Sequence, residues 1–339
     1  MKECDMQDPE MNRRDFLKLI AGGVLSLGSA ATAIAQILTA SKPAATSQPA
    51  RNQASFLGKS LVVEISSDRA LNFGSFNRGI IQEMIMAGVT EITGAKSFQL
   101  ALGKLFSPKD IIAFKFDNVH DSLIRTNVPL AEELLRLMIR NGFRADQIYF
   151  IGVQPNDSSL PPTLKVPFGW GREVDFGSGK DRMLAILDKV TALVNVGTLR
   201  ADAIAGMSGC LKNITYGLIK HPARFYDNHC SPYIADIYAL PAIKNKVRLN
   251  VLSALRVLAR SEQLESQNPL IEKRTLFFSE DVVAIDSVGF EMLDGLCKQE
   301  KLPPLVTGTD FPLQLLTAHH KGLGVYHPDQ IFLKKMEIF

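Results

Sequence analysis

The chain of 339 residues carries 38 Lys and Arg against 35 Asp and Glu, for a formal net charge of +3, and 46% of its residues are hydrophobic while 22% are charged. Enough apolar side chain is present to form a core, which excludes general disorder, and a near-neutral chain without a dense basic run is excluded as an electrostatic binder of nucleic acid. The four cysteines, Cys4, Cys210, Cys230 and Cys297, form no C-x-x-C pair, so neither a zinc ribbon nor an iron–sulfur ligand set is written here.

At the N-terminus, Asn12-Arg13-Arg14-Asp15-Phe16-Leu17-Lys18 precedes an uncharged run over residues 19–41. The paired arginines, the Phe-Leu and the trailing Lys resemble a twin-arginine export signal, with Asn12 where such signals usually carry Ser or Thr. Ala33 and Ala35 make an A-x-A site, with cleavage expected before Gln36. The resemblance implies passage through the twin-arginine translocase into the periplasm or another extracytoplasmic space. Membrane attachment is expected only where the signal is retained, because the uncharged run approaches the roughly 20 residues that span a bilayer. That route carries folded proteins, often with a bound cofactor or metal, so a divalent metal enters the expectations while its identity stays open. We expect residues 1–35 to be the signal peptide and residues 36–58 a linker, whose Ala, Ser, Gln, Thr and Pro bury too little to offset ordering entropy. Residues 59–339 are expected to be one folded domain.

Within that domain, short apolar runs at 61–65, 111–116, 148–153, 192–196, 247–251 and 275–278 read as strands. Between them, residues 128–141 place Leu130, Leu134, Leu135, Leu137 and Met138 on one side of a helix that Gly142 ends. Residues 76–88 and the segments starting near Lys180, Gly209 and Asp281 read as helices in the same way. Alternating strands and helices predict an α/β fold with a mostly parallel sheet and helices on both faces, three layers in a single main domain.

Ligands of such sheets bind beyond the carboxyl ends of the strands. Lys115 stands at one such end among apolar residues, where lost hydration lowers an ammonium pKa and suits it to proton transfer or to an anionic ligand, and Asn118 follows it. Asn195 lies on another strand. Gly206-Met207-Ser208-Gly209-Cys210-Leu211-Lys212-Asn213 reads as a glycine-bearing loop opening a helix, whose free N–H groups favour an anion, with Ser208, Gly209, Lys212 and Asn213 as contacts. Lys115, Asn118, Lys212 and Asn213 are expected to meet in one cleft. Arg224 suits a carboxylate or phosphate. His221, His229 and Cys230 are weak metal candidates whose spacing fits no familiar closed site. Asp286 is a carboxylate on an apolar helix, so it needs a partner or a ligand. Cys210 and Cys230 are a possible disulfide pair.

Several segments taken together resemble the domain of unknown function family numbered 362: Phe114-Lys115-Phe116-Asp117-Asn118 with Arg125-Thr126-Asn127-Val128-Pro129, Val194-Asn195-Val196 with Gly209 to Gly217, His221-Pro222-Ala223-Arg224, and Asp281 to Gly289. The likeness covers roughly residues 108–296. It departs at Arg200-Ala201-Asp202, where members commonly carry Lys-x-His, and at Leu249-Asn250-Val251-Leu252-Ser253, where the strand of other members ends in Asp. The expected function is an exported protein binding an anionic small molecule, with Lys115, Lys212 and Asp286 as catalytic candidates. A metal- or cofactor-assisted enzyme and a non-catalytic binding or accessory protein of the periplasm or cell envelope both remain open. In either form Asp286 is expected to be the only acid near Lys115, Lys212 and Arg224.

Overall fold

A computed structural model describes residues 55–72, 74–117, 124–163, 169–259, 270–306 and 311–339, all of which fall in one compact unit. The expected signal peptide, most of the expected linker, and Asn118 lie outside the described residues. The last four residues of that expected linker are ordered: Ser55–Phe56 pairs with Lys59 and Ser60 across Leu57 and Gly58, both at positive φ. Two successive residues at positive φ match the twist of a two-residue hairpin turn.

The main strands are β1 (Lys59–Ser66), β2 (Ile112–Phe116), β3 (Ile148–Ile151), β4 (Ala192–Asp202), β5 (Gly206–Ser208), β6 (Val247–Leu258), β7 (Thr275–Ser279) and β8 (Ile331–Glu337). β8 pairs with β1, and from β1 the sheet runs β7, β6, β4, β2, β3, with β5 folded back on β4. Neighbours from β6 to β3 are parallel, as are β8 and β1, whereas β7 runs against both β1 and β6. The sheet is therefore mixed, with a parallel centre. Its continuous apolar strands are those of a sheet covered on both faces.

Alternation along each strand sends successive side chains to opposite layers. Phe114, Phe116, Val194, Val196, Val251 and Phe278 pack against α1 (Arg78–Thr93), α2 (Phe98–Leu105) and α3 (Asn127–Arg140). Ala113, Leu193, Leu252 and Phe277 belong to the opposite core, with α4 (Cys210–Tyr216), α5 (Tyr233–Ala239), α6 (Val282–Gln299) and α7 (Leu313–His320). This is a three-layer α/β fold. No helix among the described residues is long and apolar enough to cross a membrane.

One expected helix is not found. The segment at Lys180 is a strand, Lys180–Leu184, paired antiparallel with Trp170–Asp175. Its buried residues alternate at Asp181 and Met183, and Gly177-Ser178-Gly179 supplies the reversal, so a period of two prevails over the helical reading.

α1 lies so close to the sheet that a Cβ on Gly88 would stand 2.2 Å from the Phe278 ring. Gly88→Ala gains up to about 1 kcal/mol of helix propensity but forces the helix off the ring, at about 1–3 kcal/mol. We therefore expect a lower urea midpoint with an unchanged slope, measured by equilibrium unfolding.

Candidate functional site

A row of polar side chains crosses the sheet on the α4 face. Lys115 stands opposite Asn195, Asn195 opposite Asn250, and Asn250 opposite Ser279, on four neighbouring strands. Asn213 of α4 closes over the row. Lys115 Nζ donates to the Phe116 carbonyl at 2.6 Å and to Asn213 Oδ1 at 2.7 Å. Asn213 Nδ2 donates to Asn195 Oδ1 at 2.9 Å, and Asn195 Nδ2 to Asn250 Oδ1 at 2.9 Å. Asn250 Nδ2 reaches the carbonyls of Ser279 and Glu280 at 3.3 and 3.4 Å. A carbonyl only accepts, so Asn250 must turn its amide N–H towards β7 and its oxygen towards Asn195. The constraint passes down the chain, and Asn213 is left with its oxygen facing the Lys115 amine.

Lys115 is 3% exposed, and a Cβ at Gly217 would stand 2.4 Å from its Nζ, so the absent side chain of Gly217 makes room for the amine. Among the described residues no carboxylate lies at ion-pair distance from Lys115. Burial lowers its pKa to about 8, with Asp117 pulling the other way.

The start of α4 is occupied from within the chain. Asp286 Oδ1 accepts from the Cys210 N–H at 2.7 Å and Oδ2 from the Leu211 N–H at 2.8 Å. Gly209 permits this approach, since a Cβ there would stand 2.5 Å from Asp286 Oδ1. The anion expected at these free N–H groups is thus the protein's own carboxylate, and Asp286 acts as the cap of α4. Ser208, 2% exposed, pairs with Arg200 through β5 and β4. Burial pushes the Asp286 carboxyl up to about 7, against the pull of its two amide donors.

Lys212 faces a second group. Its Nζ lies 2.5 Å from Asp202 Oδ2, and Arg200 joins both Asp202, Nη1 to Oδ2 at 3.7 Å, and Asp117, Nε to Oδ2 at 3.2 Å. Burial disfavours an ionised Asp202, but Lys212 and Arg200 together hold its carboxyl below the ordinary value. The Tyr226 and Tyr216 rings lie 5.1 and 5.9 Å from Lys212 Nζ. The expectation of Asp286 as the only nearby acid is therefore corrected: Asp117 and Asp202 stand among these cations. Both, like Arg200, carried a signal in the sequence, as charges at the ends of otherwise apolar strands.

The other candidates make contacts of their own. Arg224 is exposed and reaches the Lys180 carbonyl at 3.4 Å. His221 Nδ1 meets the buried carboxylate of Asp181 at 3.0 Å, and His229 Nδ1 meets the Ile204 carbonyl at 2.8 Å. Among the described residues no group of three His, Cys, Asp or Glu side chains is arranged to hold a metal ion. Cys210 and Cys230 are free thiols rather than a disulfide: Cys210 Sγ donates to the Val251 carbonyl at 3.5 Å, and burial pushes the Cys230 thiol up to about 12. Ser253 Oγ is buried and has no hydrogen-bond partner among the described residues. Asn228, His229 and Cys230 take three successive left-handed conformations, φ 49°, 54° and 64°. Non-glycine residues so placed cost about 1–3 kcal/mol each and persist only where surroundings impose them.

The family described as Domain of unknown function (DUF362) matches residues 131–291. That range holds Asn195, Arg200, Lys212, Asn213, His229 and Asp286, and begins after Lys115. No curated protein matches the chain. A crystal structure of a protein from Thermotoga maritima is similar over 66% of this chain and 59% of its own, at 12% identity and a TM-score of 0.37. The chain thus spans about three-fifths of that relative's length.

The two states of Asp286 give a pH signature. Its folded pKa, about 7, exceeds the ordinary 3.8, so the folded chain binds the extra proton between those values and this group's contribution to stability falls as pH rises through that window. In Asp286→Asn the contribution is absent. Urea unfolding across the series should show the wild-type stability, relative to the variant, declining from about pH 4 to about pH 7.

Proposed function

We propose that the chain is an exported α/β protein that binds an anionic small molecule at the edge formed by β2, β4 and α4. The observation that supports this is a charge imbalance in buried space. Lys115, Arg200 and Lys212 are 3%, 8% and 7% exposed, and the carboxylates ranged among them in the described residues are Asp117 and Asp202. A buried ammonium without a counter-charge is unfavourable. Lys115, held by neutral oxygens, therefore releases its proton readily or gains from a nearby anion. In an enzyme of this kind Lys115 carries the proton, and Lys212 and Arg200 meet the ligand's charge.

A thermal-shift series tests this reading. Organic acids and phosphates should raise the melting temperature and neutral sugars should not, because a ligand that binds only the folded chain stabilises it. The anion effect should shrink as pH rises through about 8, where Lys115 loses its charge. Lys212→Met should weaken anion affinity about tenfold or more, a charged hydrogen bond contributing about 1.5–3 kcal/mol. The variant also strips Asp202 of one partner and lowers stability, so the ligand-induced shift is compared within each protein. Stabilisation by neutral compounds alone, or an anion shift unchanged in Lys212→Met, overturns the reading.

A non-catalytic binding or accessory role is favoured by the internal saturation of Asn195, Asn213 and Asp286. Metal content separates the two forms. Stoichiometric metal in protein purified from the exporting compartment supports an assisted enzyme, and metal-free protein supports the binding role. Export rests on Arg13 and Arg14. Replacing both by Lys should leave the protein in the cytoplasm, and unchanged localisation in the double variant refutes it.

A further inference from the structure

The left-handed turn at residues 228–230 adjoins the Lys212–Asp202 pair, whose charges both act on the Cys230 thiol. Tyr226, just before it, lays its ring 5.1 Å from Lys212 Nζ. His229, within it, reaches the carbonyl of Ile204, and the Ile204 and Ala205 amides donate to Asp202 Oδ1 at 3.2 and 2.9 Å. The carboxylate that meets Lys212 and the carbonyl that meets His229 thus belong to one turn of chain. The conformation is fixed from several sides: Asn228 Nδ2 donates to the Ser231 carbonyl at 3.0 Å, and Ser231 Oγ meets Thr317 Oγ1 at 2.6 Å.

The His229 contact also settles a proton. A carbonyl cannot donate, so Nδ1 carries the hydrogen, and in the neutral ring Nε2 is left with a lone pair. His229 is only partly buried. A cation pair suited to an anionic group thus lies beside a turn that carries a hydrogen-bond acceptor, and the two together suit a ligand with both features.

We propose that His229 contacts the ligand, its Nε2 accepting a hydrogen bond from a hydroxyl on the anion held at Lys212 and Arg200, so that the ligand class is a hydroxyl-bearing anion. This rests on the anion-binding reading above and adds the hydroxyl to it. Lys212 and Arg200 set the charge, and His229 selects among anions. Asp202 fixes both by holding Lys212 with one carboxylate oxygen and capping the Ile204 turn with the other.

Matched ligands that differ by a hydroxyl test the proposal: malate against succinate, and glycerol 3-phosphate against propyl phosphate, by calorimetric titration of the whole chain. A preference of about five-fold for the hydroxylated member of either pair is expected, and which pair shows it identifies the acidic group. His229→Asn, whose side chain tolerates the left-handed backbone, should retain succinate or propyl phosphate binding and lose the preference. If that variant does not fold, imidazole nitrogen resonances of the wild-type protein supply the measurement, with His229 Nε2 moving on addition of the hydroxylated ligand and not of its partner. Equal binding within both pairs overturns the role of His229 and leaves the anion reading standing. Binding of none of the four overturns both.

Discussion

Asn250 can satisfy its amide only by donating to the carbonyls at the end of β7, and that requirement governs much of the molecule. It orients Asn195, which orients Asn213, which turns an oxygen to the Lys115 amine. A strand slipped by one residue would send its member of the row into the apolar layer under α1 and α3 and leave buried amides unpaired. The row thus fixes the register of β2, β4 and β6 more strictly than their apolar neighbours do, because Val and Leu pack acceptably in more than one arrangement. It also draws α4 onto the sheet, since Asn213 is the link between Asn195 and Lys115.

The protein buries cations in two ways with different consequences. Lys212 is matched by a carboxylate, so its charge is held in place. Lys115 is matched by oxygens that carry only partial charge, and burial weakens its hold on a proton. Lys115 bonds Asn213 of α4, and Lys212 is the residue before it in the same helix. A fixed positive charge and a labile proton thus attach to consecutive positions of α4, and the Asp117–Arg200–Asp202 series runs from Lys212 to the residue that follows β2.

The central strands were legible because parallel strands covered on both faces are written as continuous apolar runs. The direction of β7 was not, since parallel and antiparallel pairing draw on the same residues. Lys180–Leu184 misled because five residues with charges at Lys180, Asp181 and Arg182 are too short to show a period. β8 was missed for a related reason: Lys334 and Lys335 interrupt its apolar run, and their partners Glu91 and Glu64 are far away in sequence. In the site, Lys115, Asn195 and Asn213 could be singled out as polar residues at strand and helix ends, and Asp286 as a carboxylate in need of a partner. The hydrogen bonds joining them could not, because each crosses between elements. Asn250 gave no signal beyond being an amide in an apolar strand. Arg200 and Asp202 stand out both as departures from the pattern of the resembled family and as charges at the end of an apolar strand, and with Asp117 and Lys212 they form one buried ion-paired series.

The pairing of β1 has a consequence for how the chain is made. Apart from the short Ser55–Phe56 strand, its sheet neighbours are β7 and β8, which come more than 200 residues later. On the ribosome the first strand emerges with no long partner, and its apolar face stays uncovered by sheet until the last strands follow. Contacts so distant in sequence close slowly, after a large loss of loop entropy. The central β2–β4 pairing precedes β7 and β8 in the chain, and β1 gains its first long partner only with β7 and its second with β8. A chain cut short before residue 331 would therefore leave β1 as an open edge.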